Sequence, residues 1–251
     1  MALQEEFEQQ GNFLFKYRGS LPIFILILGF AVYAFLHMKN PTLFIVGFYN
    51  QPFEFIALGV SFFGLAIRIF TVGHTPKNTS GRNTKAQVAE TVNTSGIYSC
   101  VRHPLYLGNF FMWLGIGMLT RSVWFNVSFI LFYWIYYERI MFAEEQFLRK
   151  KFGEAYTNWA AKTPAFIPSF KNWKAPIEKF SFKKVIKKEK NGLLAIFLVF
   201  YLFELIGQYI DNKTFWINET YWLYSLIVMA VLYLILKILK HSTKVFEEEG
   251  R

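Results

Sequence analysis

This chain has one cysteine in 251 residues. A lone Cys100 excludes an internal disulfide and a thiolate-rich metal site. Charge is scarce too: Asp, Glu, Lys and Arg make up 18% of the residues, against about 25% in a typical soluble domain. The sequence has no P-loop, no Gly-rich dinucleotide fingerprint, no Ser-His-Asp set and no zinc-ligand cluster. The chemistries those motifs announce are therefore not expected. No internal repeat is evident, which argues against a transporter built from repeated halves. The first apolar run ends at His37-Met38-Lys39 without a small-residue cleavage site. It is expected to remain a membrane span and not to act as a cleaved signal.

What the chain does have is apolar length. Hydrophobic residues make up 54% and aromatic residues 20%, with 30 Phe. Six runs stand out, at about 21–37, 52–72, 104–120, 123–142, 191–210 and 220–240. Each has about 17–22 residues, which at 1.5 Å per residue matches a hydrocarbon core roughly 30 Å thick. The predicted fold is all-α: a polytopic transmembrane helical bundle of about six spans. Lys and Arg collect before the first run and in the segments 73–103 and 143–190, while the other loops carry one apiece. That asymmetry places both termini in the cytosol, with a bacterial inner membrane as the expected location.

Three sections follow: a tail and two spans over 1–80, a core over 81–175, and a basic linker with a terminal hairpin over 176–251. Residues 1–15 are expected to be a polar, acidic cytosolic tail, and a short interfacial helix is expected near 84–92. Span four is expected to continue into the cytosol until Gly153 ends or bends it. Residues 164–190 read as a Lys- and Pro-rich linker. Thirteen of the 27 Lys and Arg lie between Arg139 and Lys190, which reads as a loop facing anionic headgroups and not as a nucleic-acid site.

The chemistry concentrates at the two ends of the central hairpin. Pro104 suits the first turn of span three, so Arg102 and His103 sit at a helix N-terminus, where free N–H groups and partial positive charge favour anions. A hairpin brings its second end back to the side where the first began. Glu144-Glu145 should therefore meet Arg102-His103 at one membrane face. Tyr106 shares a face with His103, and Gly108, Gly115 and Gly117 permit close approach of another helix. The bland alternatives are headgroup anchoring for Arg102-His103 and surface ion pairs of the two acids with Arg139, Arg149 or Lys150. Within the spans, Arg68 and Glu204 are expected to pair structurally.

Two stretches resemble a known group. Asn93-Thr-Ser-Gly-Ile-Tyr98 followed by Arg102-His-Pro-Leu-Tyr-Leu-Gly108 is similar to the opening motif of the isoprenylcysteine carboxyl methyltransferase and phospholipid methyltransferase superfamily. Glu144-Glu-Gln-Phe-Leu148, Phe152-Gly-Glu-Ala-Tyr156 and Pro164-Ala-Phe-Ile-Pro168 resemble its closing motifs. The resemblance implies an S-adenosylmethionine-dependent methyltransferase acting on a lipid or lipid-like substrate from the bilayer. It implies that Tyr98, Arg102, His103, Pro104, Leu105, Tyr106, Gly108 and Glu144 line the cofactor pocket, with backbone contacts from Glu90 to Asn93. Arg139 is then the candidate for facing the substrate. Glu145 and His103 are candidates for taking a proton from a neutral amine acceptor; a carboxylate or thiolate acceptor would not need one. No metal is expected. Two rivals stand beside this reading: an NADPH-dependent membrane lipid or sterol reductase, whose basic residues would be Arg82 and Lys85, and a non-catalytic membrane scaffold.

Overall fold

The computed structural model describes residues 2–44, 50–76, 87, 89–213 and 220–247. Among them the chain forms eight α-helices and no strand. The helices are α1 (Leu3–Tyr17), α2 (Leu21–Lys39), α3 (Asn50–Gly73), α4 (Pro104–Met118), α5 (Val123–Phe152), α6 (Glu154–Ala160), α7 (Phe182–Asn212) and α8 (Tyr221–Ser242).

The local signals explain most boundaries. Pro104 opens α4 with His103 as its cap, where a missing N–H costs nothing. Ser122, Ser181 and Thr220 cap α5, α7 and α8, each accepting a backbone N–H of its own first turn. Gly153 adopts φ +55° between α5 and α6, so the expected break falls there and swings the chain back toward the bundle.

All six predicted spans coincide with helices. Four of them, α2, α3, α7 and α8, are long and apolar enough to cross a membrane. α4 has 15 residues, about 22 Å at the α-helical rise. α5 has 30 residues and carries Glu138, Arg139, Glu144, Glu145 and the basic last turn Arg149, Lys150 and Lys151 in its C-terminal half. Large apolar side chains such as Phe24, Leu28, Leu131 and Ile235 face outward, as a lipid-facing surface requires.

α3 and α4 approach most closely through small residues. A Cβ at Gly115 would collide with Ser61 and the Ala57 carbonyl, and one at Gly64 with the Gly108 carbonyl and the Met112 backbone. Without side chains between them the two backbones touch, as membrane helices do at such seams. Phe197, Phe200 and Phe203 of α7 join Leu65, Ile116 and Tyr33 in one core. A second core gathers Phe129, Tyr133, Tyr137 and Ile140 of α5 around Phe15.

Several expectations are corrected. The segment expected as a polar tail forms the amphipathic α1 over Leu3–Tyr17 and lies along α5. Gly11 permits this, since a Cβ there would strike the Arg139 carbonyl, and Phe7 packs edge-on against Phe142. The short helix near 84–92 is not seen: residues 77–86 and 88 lie outside the described residues, and 89–92 are not helical. The segment 164–190 is not a free linker, because residues 182–190 already belong to α7. Residues 164–181 run as a strap along 95–103. Pro164 and Ala165 carbonyls accept from the Arg102 and His103 N–H groups, Ser169 N–H donates to the Cys100 carbonyl, and Gly96 N–H donates to the Lys174 carbonyl.

Candidate active site

Pro104 at the first position of α4 leaves His103 outside the helical conformation, at φ −121° and ψ 59°. The strap's carbonyls hold the Arg102 and His103 backbone from the other side. Both side chains then point at α5, which returns to the same end of the bundle with Glu144 and Glu145. The predicted meeting occurs. Glu145 Oε1 accepts from Arg102 Nε at 2.8 Å and lies 3.0 Å from His103 Nε2. Glu144 Oε2 is 3.6 Å from His103 Nδ1, so the imidazole sits between the two acids.

The two acids are not equivalent. The Glu145 side chain is 14% exposed and that of Glu144 26%. Glu145 is committed to Arg102 and His103, and Glu144 is the more open of the pair. Arg102 also donates from Nη1 to the Ala160 and Thr163 carbonyls. The cation is thus held by the C-terminal end of α6, where carbonyls lack helical partners. These contacts replace the surface ion pairs with Arg139, Arg149 or Lys150.

Burial pulls the His103 pKa down, but hydrogen bonds and negative charge from Glu144 and Glu145 push it up further, and the net value lies above the usual 6.5. Burial raises the Glu145 carboxyl, while the hydrogen bond and charge of His103 and the charge of Arg102 lower it more, so it lies below 4.5. A charged imidazolium between carboxylates is the favoured state. The Tyr98 and Tyr156 hydroxyls are pushed well up, first by burial and then by Glu144 and Glu145 respectively; both stay protonated.

Tyr98, which feels the Glu144 charge, is also one of the residues lining a cavity of about 170 Å³. The cavity lies between the end of α3 (Phe70, His74), residues 91–98 and the strap residues Ile177 and Glu178. His74 Nδ1 is 2.8 Å from the Glu178 carbonyl, which pins the strap over the opening.

The other predicted residues fall as follows. Tyr106 stacks on His103 with ring centroids 5.8 Å apart. Pro104 and Gly108 are buried against α3, and Leu105 is half-buried. Arg139 is not brought into the cluster. Its guanidinium lies 3.5 Å over the Phe7 ring and bonds to Gln10 and Glu138. Arg68 does not pair with Glu204. It makes a two-pronged bond to Glu189, 2.8 Å from both Nε and Nη2, and a third to Asn109 at 2.7 Å. Glu204 instead binds Thr220 and Gln208. The reason is register: Glu189 lies at the same depth as Arg68, while Glu204 is four turns further along α7, near the other end. Arg82 and Lys85 lie outside the described residues. Among the described residues no three His, Cys, Asp or Glu gather as a metal site.

Sequence reading missed Asn109 and Glu189. Each carried a signal: Asn109 is a polar residue inside an apolar helix, and Glu189 is the only acid in Lys183-Lys-Val-Ile-Lys-Lys-Glu-Lys190.

Comparison with known proteins adds a family. A family model described as phospholipid methyltransferase matches residues 55–155. A cobalt-zinc-cadmium resistance protein from Cupriavidus metallidurans is 38% identical over 78 residues, which is 31% of this chain and 36% of that protein. The protein-S-isoprenylcysteine O-methyltransferase of Schizosaccharomyces pombe is 40% identical over 76 residues, 30% of this chain and 32% of that enzyme. The human protein of the same name is 31% identical over 87 residues, 35% and 31% of the two chains. The chain thus spans about a third of the length of these curated relatives. No solved structure matches.

Proposed function

We propose, for a chain whose residues 55–155 belong to the phospholipid methyltransferase and isoprenylcysteine carboxyl methyltransferase superfamily, that it transfers a methyl group from S-adenosylmethionine to a lipid or lipid-like acceptor at the cytosolic membrane face. The observation that carries this reading is the His103 imidazole set between Glu144 and Glu145, with Arg102 on Glu145.

The residues present fit such a cofactor. S-Adenosylmethionine brings a methyl group on a sulfonium cation, together with an ammonium and a carboxylate. Glu144, the more open acid, balances positive charge. The imidazolium of His103 and the N–H groups at the start of α4 suit a carboxylate. Tyr98 and Asn93 border the cavity and supply neutral polar contacts. Glu145 keeps Arg102 and His103 in place, so its role is positioning. The strap covers the backbone of Arg102 and His103 and adds Ile177 and Glu178 to the cavity wall. Holding donor and acceptor in line and dry supplies much of the rate in a displacement of this kind. Arg139, bound beneath α1, reaches an acceptor only if α1 moves, so it is the less favoured acceptor contact.

Titration calorimetry of the purified protein in detergent, with S-adenosylhomocysteine and with NADPH, tests the reading. Binding of the first, lost in folded His103→Ala and Glu144→Gln, is the expected result. Binding of NADPH alone replaces the reading with the reductase. Binding of neither, in native lipid as well as detergent, leaves a scaffold.

A further inference from the structure

The C-terminal helices α7 and α8 lie outside the family-matched residues 55–155, yet α7 carries a buried acid into the core of that region. The Glu189 side chain is 5% exposed and grips Arg68 of α3 from both carboxylate oxygens. The fork leaves Nη1 of Arg68 to bond Asn109 Oδ1 on α4. Gly108, next to Asn109, makes room for this, since a Cβ there would lie 2.5 Å from Arg68 Cγ.

With its Oδ1 held by Arg68, the Asn109 amide is oriented, and it lies within reach of the Tyr137 hydroxyl. The Tyr137 ring packs 4.8 Å from that of Tyr106, and Tyr106 stacks on His103. Tyr133 donates to the Tyr106 carbonyl at 2.7 Å and fixes that turn of α4. The side chains of Glu189, Arg68, Asn109, Tyr137 and Tyr106 therefore lead, neighbour by neighbour, toward His103.

A purely structural account explains this poorly. Replacing a buried ion pair with apolar side chains of similar volume is often neutral or stabilising, and membrane helices associate by packing without one. α3 and α7 already pack through Leu65, Ile196 and Phe197. The pair does what packing cannot, which is to set the angle of one polar side chain on α4.

We propose that Glu189 is a positioning residue of the methyl-transfer site: it orients Arg68 and Asn109, and through the tyrosine pair it sets the His103 imidazole. The C-terminal hairpin is thereby part of the cofactor site. This rests on the methyltransferase reading above.

The test is S-adenosylhomocysteine binding by calorimetry to the parent, Arg68→Met/Glu189→Met and Glu189→Gln, with thermal unfolding of each. The double variant removes both charges together and is expected to melt like the parent. Its affinity should fall by about tenfold, as expected when one member of a coupled polar network is released. Glu189→Gln keeps an acceptor but loses charge, and should fall between the two. A folded double variant that binds like the parent overturns the proposal and leaves the methyltransferase reading standing. If the double variant does not fold, parent-like binding by Glu189→Gln overturns it instead. A parent that binds no S-adenosylhomocysteine removes both.

Discussion

Glu145→Gln should destabilise the protein by an amount that depends on pH in a defined way. Glu145 Oε1 accepts two charge-assisted hydrogen bonds, from Arg102 Nε at 2.8 Å and His103 Nε2 at 3.0 Å. Such bonds contribute roughly 1.5–3 kcal/mol each, and breaking a fully buried pair costs about 3–5 kcal/mol. Two features hold the cost down. The amide of Gln retains an oxygen that accepts one bond, and Arg102 keeps the Ala160 and Thr163 carbonyls at 2.8 and 2.9 Å. The expected loss is about 2–3 kcal/mol near neutral pH, or roughly 5–10 °C in melting temperature for a chain of this size.

The sign of the pH dependence follows from the two shifts. The lowered pKa of Glu145 gives stability that is present above 4.5 and lost as pH falls through its folded value. The raised pKa of His103 gives stability that is present below 6.5 and lost as pH climbs through its folded value. The gap between parent and variant should therefore be widest between these limits and narrow on either side. Tryptophan fluorescence melts in detergent across that range measure it. A gap that stays constant with pH, or no gap near neutrality, would refute the account of a charged His103–Glu145 pair.

Three further outcomes follow from the packing. Gly11→Ala places a methyl group against the Arg139 carbonyl, so α1 should lift from α5 and become sensitive to limited proteolysis while the bundle stays folded. Gly64→Val breaks the backbone contact with Gly108 and Met112 and should cost about 2–4 kcal/mol by overpacking two helices that cannot move independently; thermal melts of the variant check it. Tyr156→Phe removes a buried hydroxyl that has no hydrogen-bond partner; it should be neutral or raise stability by about 1 kcal/mol, and a loss above that in the same melts would show that the hydroxyl is bonded.

The sequence by itself determined the all-helical class, the places of the long apolar helices and the residues that meet in the candidate site. Membrane helices announce themselves through apolar length, because each must satisfy its backbone internally and match the bilayer. Pro104 and Gly153 punctuate the chain locally, so the helix ends near them were legible. The meeting of Arg102-His103 with Glu144-Glu145 was legible for a topological reason: a hairpin has only one way to bring its ends together. Tertiary structure alone decided what depends on rotation about helix axes and on contacts distant in sequence. Composition located Arg68 and Glu204 within spans but said nothing of their depth along neighbouring helices, and Arg68 pairs with Glu189 instead. Residues 3–15 are polar enough for a tail, yet they dock as a helix on α5 with Gly11 at the contact, and that docking sets Phe7 and Gln10 against Arg139. The strap over residues 95–103 is held by backbone hydrogen bonds, which nearly any side chains permit and no residue pattern therefore reveals.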